Sequence, residues 1–278
     1  MTIGERFASY ARKWGVRVDE IRTTETSQLG FGTRGDQPVV LKVIRQENGE
    51  EWRCGDVLDA FRGEGMIRPI KYAAGAVLLP HLQPGQDLTS LCLEGRDEEA
   101  TEVIASLLQR MSSTQAHLSG VRPVDRLAPE FAQFRDGAKD FIPPSYVDRA
   151  EALFMELCAT QRNVRLLHGD LHHANVLFDR KSGWTVIDPW GVVGEIEFEI
   201  GAALRNPIDV PSLLAEPDTL ERRLRIYETT LNLNAQRALQ WAFATAVLAI
   251  LWPFDPKTGL DLRAPFAVAA RSMVRLLQ

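Results

Sequence analysis

Apolar residues at Ile3, Phe7, Tyr10 and Ala11 recur at helical spacing, so residues 1–13 read as a short amphipathic helix. From Trp14 to Ile44 the pattern changes to that of strands. The clearest run is Pro38-Val-Val-Leu-Lys-Val-Ile44, whose alternation puts Lys42 on the face opposite Leu41 and Val43. Residues 27–34 precede it as a partner strand, with Gly35-Asp36 at the tip of the hairpin. A helix follows over Glu47–Phe61, with Cys54, Val57, Leu58 and Phe61 on one face, then short strands at Met66–Ile70 and Ala76–Leu79. Pro80-His-Leu-Gln-Pro-Gly-Gln-Asp87 has the composition of a linker. Beyond it the period is helical. Ala100, Val103, Ile104, Leu107, Leu108 and Met111 form one stripe, behind an acidic start at Glu98 and Glu99. Pro143-Pro144 is a stop, and Ser145-x-x-Asp148 is a capping signal for a helix carrying Ala150, Leu153, Phe154 and Leu157. Further helices are expected near 218–231, 235–252 and 264–277. The fold class that follows is α+β in two lobes: a small β-rich lobe over 1–82, a hinge at 83–87, and a larger, mainly helical lobe over 88–278.

Residues 166–191 break this periodicity and carry the chemistry. A polar cluster (His168, Asp170, His172, His173, Asn175) precedes Val176-Leu-Phe178 and Trp184-Thr-Val-Ile187, which are joined by the turn-like Asp179-Arg-Lys-Ser-Gly183. Such a hairpin folds Asp188 back beside Asn175, with Asp170 on the loop leading in. An amide and a carboxylate are hard oxygen donors suited to Mg²⁺, and a second carboxylate can take the proton of an acceptor hydroxyl. Phosphoryl transfer needs this set, because its transition state is stabilised by positioning and by charge.

Asp170 and Asn175 stand in the D-x-x-x-x-N spacing of the protein-kinase catalytic loop. The loop His168-Gly-Asp-Leu-His-His-Ala-Asn175 resembles that of the aminoglycoside phosphotransferases. The run from Asp188-Pro-Trp-Gly through Gly194-Glu195 to Leu204-Arg-Asn-Pro207 is similar to the streptomycin 6-phosphotransferase and hydroxyurea phosphotransferase group. The resemblance implies a kinase-like fold and an ATP- and Mg²⁺-dependent kinase for a hydroxyl of a small molecule such as an aminoglycoside or aminocyclitol; the lack of a signal-peptide core and of an apolar run long enough to span a bilayer leads to the expectation of a cytoplasmic protein. The resemblance also implies that Asp170 is the base, Asn175 and Asp188 hold the metal, and Lys42 holds the α/β-phosphates. Either Glu50 or Glu51 can reach Lys42, with Glu51 preferred. Backbone groups around His81 and Leu82 hold the adenine ring. His168 and His172 fix the loop. Trp190 narrows the acceptor pocket, Glu195 contacts an acceptor amine or guanidine, and Glu199 pairs with Arg205 or with the loop.

Gly30-Phe-Gly-Thr-Arg-Gly35 spells G-x-G-x-x-G, but neither a helix nor a second lid strand can follow it before Lys42. The phosphate lid is therefore expected at Arg22-Thr-Thr-Glu-Thr-Ser27. Zinc at the three histidines is disfavoured, since they lie on a loop with no cysteine nearby in sequence. A formal charge of −5 and a pI near 5.6 argue against nucleic acid or an anionic membrane as partner. Three dispersed cysteines read as reduced thiols, and the start of the chain has no signal-peptide core. A nucleotide-binding regulator without acceptor chemistry, or a metabolic kinase for choline, homoserine or a sugar amine, are the competing readings.

Overall fold

The computed structural model describes residues 1–114, 116–252 and 261–277, without the side chain of Glu50. Helix α1 (Ile3–Trp14) opens with a capping box between Thr2 and Glu5 and closes on Gly15 in the left-handed conformation. Strands β1 (Arg17–Thr23), β2 (Ser27–Arg34) and β3 (Gln37–Ile44) follow, then helix α2 (Cys54–Ala60) and strands β4 (Lys71–Ala73) and β5 (Ala76–Pro80). They form one antiparallel sheet in the order β1-β2-β3-β5-β4. The two faces of β3 are both covered. Phe7 and Trp14 of α1 pack on Val39, Leu41 and Val43, while Ile44 on the other face joins the main core with Val57, Leu58 and Phe61. Lys42 lies on that second face and is only 6 % exposed.

Two elements differ from the sequence pattern. The helix expected over Glu47–Phe61 begins only with a 3₁₀ turn at Glu50–Arg53, because Asn48 takes a left-handed φ of 57° that no helix interior accommodates. The strand expected at Met66–Ile70 is displaced to Lys71–Ala73, with a lone bridge from Met66 to Val186. Pro69 has no N–H for a ladder, so continuous pairing starts after it.

The larger lobe contains strands β6 (Pro84–Asp87), β7 (Arg165–Leu167), β8 (Val176–Asp179), β9 (Gly183–Val186) and β10 (Val192–Gly194). Its helices are α3 (Thr89–Leu93), α4 (Asp97–Ser113), α5 (Pro129–Gln133), α6 (Pro144–Ala159) and α7 (Ile196–Leu204). The last four are α8 (Pro211–Ala215), α9 (Pro217–Leu231), α10 (Ala235–Leu251) and α11 (Arg263–Leu276). β6, inside the linker-like stretch, pairs with β8 of the hairpin. The expected Ser145 cap is not used. α6 starts at Pro144, whose fixed φ and missing N–H suit a first helical position, and Asp148 pairs with Arg135 instead.

Helix α10 is apolar on every side because it is the axis of this lobe, packed by α6, α7 and α11. Trp241 at its centre makes edge-to-face contacts with Phe154 and Phe198. Among the described residues no helix is long and apolar enough to cross a membrane.

Candidate active site

The loop between β7 and β8 is anchored at both ends. β7 pairs with β10, and the Ile187 N–H donates to the Asn175 carbonyl (2.9 Å), so the chain leaving β9 returns beside the loop. Gly169 stands at φ 89°, and a Cβ there would press on Val192 and Trp190 at 3.2–3.3 Å, so the turn into Asp170 requires glycine. His168 is fully buried. Its Nδ1 accepts the Asp170 N–H (3.1 Å) and its Nε2 donates to the Ile187 carbonyl (2.8 Å), which sets the tautomer. Burial pushes its pKa below the usual histidine range, so it is a neutral strut. His172 accepts the Ala174 N–H on Nδ1 (3.3 Å), while its Nε2 lies 3.3 Å from Asn175 Nδ2 and 3.5 Å from Asp170 Oδ2.

Glu199 supports the loop from beneath. Its buried carboxylate accepts the His168 N–H (2.7 Å) and the Gly169 N–H (3.0 Å), so of the two expected partners the loop is the observed one. Burial raises its pKa to about 7 against these hydrogen bonds, which favour the charged form. The folded state therefore holds this proton more tightly than the unfolded chain does. Between the ordinary value of 4.5 and about 7, stability falls as pH rises, by up to ~3 kcal/mol in total. Thermal melts from pH 4.5 to 7.5 should show this decline, and Glu199→Gln should flatten it; a parallel pair of curves would refute the assignment.

Asp170, Asn175 and Asp188 line one cavity of about 290 Å³ together with Glu51, Trp190 and Arg205. Asn175 Nδ2 donates to the Asp170 carbonyl (2.9 Å), which leaves Oδ1 as the amide's open acceptor. Asp188 sits at φ 62°, a conformation that aspartate tolerates better than most residues. Lys42 Nζ bridges Glu51 (2.7 Å) and Asp188. Burial opposes its charge, but the two carboxylates outweigh burial and raise its pKa above the ordinary lysine value. The side chain of Glu50 lies outside the described set. For Asp170 too, burial opposes ionisation, yet His172 and Arg205 hold the carboxyl well below the usual carboxylate range.

On the other side of Lys42, a cavity of about 430 Å³ is lined by Phe31, Val40, Leu79, Leu82, Leu177 and Ile187. The His81 ring lies 5.3 Å from Phe31 at its mouth, and the His81 N–H is already engaged by the Pro38 carbonyl (3.1 Å). In the β1–β2 turn, Thr24 and Ser27 bond each other, as in a compact polar cap.

One expected contact is elsewhere. Glu195 does not reach the cavity: its fully buried carboxylate takes the Trp241 indole N–H, the Arg237 guanidinium and the Arg162 N–H (2.9 Å). It stands at the N-cap of α7, turned to α10 rather than to the cleft. Trp190 does line the cavity, edge-to-face with Trp252 at 6.3 Å. Trp252 and Arg205 also line this cavity, and Glu130 lines the space beside it. Trp252 ends an apolar run and reads from sequence as core, and Arg205 was expected only as a partner of Glu199. The three histidines diverge, and His173 lies buried near Cys92 and Asp97, where the Arg223 guanidinium paired to Asp97 opposes a cation.

The model of the aminoglycoside/hydroxyurea antibiotic resistance kinases matches residues 13–255. The chain belongs to that family. Within it, a streptomycin 3''-kinase of Klebsiella pneumoniae is 30 % identical over 273 residues, spanning 94 % of this chain and 97 % of the relative. A hydroxyurea phosphotransferase of Kitasatospora aureofaciens is 27 % identical, spanning 90 % and 73 %. Among solved structures, an aminoglycoside phosphotransferase, APH(4)-Ia, in a ternary complex with ADP and hygromycin B superposes with a TM-score of 0.61 at 14 % identity, covering 97 % of each chain. Family membership makes this protein a small-molecule phosphotransferase, and the likeness in shape makes its architecture kinase-like: a small antiparallel-sheet lobe against a helical one.

Proposed function

We propose that this kinase transfers the γ-phosphoryl group of ATP to a hydroxyl of a small cationic acceptor, of the aminoglycoside or aminocyclitol kind. The observation that supports this most is one cavity shared by Asp170, Asn175 and Asp188, with Lys42 behind it, paired to its Asp188 and Glu51. Residues 1–82 would hold the nucleotide, 83–87 would act as hinge, and 88–278 would carry the loop and the acceptor wall. Adenine would lie between Phe31, Val40 and Leu177, and Leu82 rather than His81 would supply the backbone N–H. Residues 22–27 would cover the phosphates, and Lys42, oriented by Glu51, would pair with the α/β-phosphates. Asn175 Oδ1 and Asp188 fit a magnesium ion as hard oxygen donors with room for water. That ion, when bound, neutralises phosphate charge.

Asp170 receives the acceptor hydroxyl. The hydroxyl oxygen forms the new bond to the γ-phosphorus, the bond to the β–γ bridging oxygen breaks, and the proton passes to Asp170 as ADP departs. A carboxyl held below its ordinary pKa is a weak base but a constant hydrogen-bond acceptor. Its contribution is then to aim the hydroxyl and take the proton late.

Beside this cavity a second space of about 890 Å³ is lined by Glu25, Glu51, Glu130, Phe134, Trp190 and Trp252. Glu130 accepts from the Trp252 indole (2.7 Å) and from Arg122 (2.6 Å), which fixes the carboxylate against the ring. Carboxylates and aromatic faces together suit a cation with apolar edges. The test is incubation with ATP and streptomycin, hygromycin B, hydroxyurea or choline, followed by mass spectrometry. A gain of one phosphoryl group on a cationic acceptor is expected. Tight ATP binding with no product on any of them would leave a nucleotide-binding regulator as the better reading.

A further inference from the structure

Helix α7 holds the catalytic loop at two points, and its two ends do different things. Near its start Glu199 accepts the loop's amides. Just past its end, Arg205 is buried, and its guanidinium points back to the cleft. Arg205 Nη2 donates to Asp170 Oδ1 (3.3 Å), Nη1 lies 3.5 Å from Thr245 Oγ1, and the group sits 5.7 Å from the Phe266 ring. Its Nε is buried without a hydrogen-bond partner.

The backbone around it is held from both sides. Arg223, itself buried against Asp97, donates from Nη1 to the carbonyls of Ala203 (3.2 Å) and Asn206 (2.6 Å), the residues two before and one after Arg205. Asn206 Nδ2 donates to the Ala202 carbonyl (2.9 Å). The helix is pressed close to α10 at Gly201, where a Cβ would come within 2.8 Å of Thr245 Oγ1, the same hydroxyl that Arg205 touches. A buried ion pair such as Asp97–Arg223 adds little net stability, so what it fixes is of more interest than what it stabilises. Here it fixes the end of α7.

We propose, building on the phosphotransferase reading above, that Arg205 is the positioning residue of the catalytic carboxylate. Asp170 follows a glycine on a loop and is partly exposed to the cleft, so its carboxylate could otherwise turn freely. Arg205 takes one oxygen and leaves the other, beside His172, to meet the acceptor hydroxyl.

The test is steady-state kinetics with ATP and streptomycin, or with hydroxyurea if streptomycin is not turned over. Arg205→Ala should lower kcat on the order of 10²-fold, as misplacement of a reacting group does, with KM for ATP within about twofold. Arg205→Lys, which keeps the charge and loses the fork, should recover about tenfold of that loss. In the Asp170→Ala background, Arg205→Ala should cost no more than about threefold, because the residue it acts through is gone. Losses that multiply in the double variant, or a raised KM with unchanged kcat, would overturn the proposal. If Arg205→Ala does not fold, Arg205→Lys decides alone: a kcat equal to that of the unsubstituted chain overturns it, and a fall of about tenfold or more supports it. If the unsubstituted chain phosphorylates neither compound, the same variants are measured with hygromycin B or choline; no product on any of the four overturns the acceptor reading, and this inference, which rests on it, falls with it.

Discussion

Replacing Asp170 by alanine is expected to lower kcat by at least about 10²- to 10⁴-fold, the range over which a positioned acid or base assists proton transfer. Nucleotide affinity should scarcely change. Asp170 makes its contacts with Arg205 and His172 in one cavity, whereas Phe31, Leu82 and Lys42 line the other, proposed for the nucleotide. The substitution removes a side chain that is partly open to the cleft, so no sizeable cavity is left and the fold should hold. Calorimetric titration with ATP, alongside turnover with a working acceptor, checks both halves. Turnover near that of the unsubstituted chain would show that the base lies elsewhere. A matched loss of ATP binding would show that Asp170 belongs to the nucleotide site instead.

Asp188→Asn should affect nucleotide binding and turnover together. Asparagine is the substitution to choose because the residue stands at φ 62°, which asparagine accepts and alanine does not, so charge is separated from backbone strain. Removing this carboxylate takes away one of the two donors assigned to magnesium. It also leaves Lys42 with Glu51 as its remaining carboxylate partner among those observed. An electrostatic contribution of several kcal/mol corresponds to about 10²- to 10³-fold in turnover. The affinity for ATP should in addition lose most of its dependence on added magnesium. If Asp188→Asn binds ATP with the same magnesium dependence as the unsubstituted chain, Asp188 is not a ligand of the ion.

Part of this site could be read from the chain because its members are local. Asp170, Asn175 and Asp188 lie within nineteen positions, and a hairpin of β-branched and aromatic residues around a Ser-Gly turn brings the last two together. Lys42 lies on an alternating strand, which alone leaves its face open; its expected role came from the resemblance of the downstream loop. What escaped was the facing of carboxylates in a segment apolar on most sides. Glu195, Glu197 and Glu199 have no polar stripe to orient them, since Ile196 and Phe198 between them and Ile200 and Ala203 after them are themselves largely buried. With two faces of α7 packed, period alone cannot say which glutamate meets the loop and which meets α10. The structure gives the loop to Glu199 and the interior to Glu195.

The amino-acid pattern alone determined the strand and helix types, the hairpin, and the set of hard oxygen donors that phosphoryl transfer requires, because these rest on periods of two or 3.6 and on turn chemistry within a few residues. Tertiary structure decided the partners. Lys42 meets Asp188 from 146 positions away, Arg205 meets Asp170 from 35, and Trp190 meets Trp252 edge-to-face. Such contacts depend on how helices rotate and approach about α10, which is set by packing at points such as Gly201 against Thr245 and not by any local preference of the residues that finally touch.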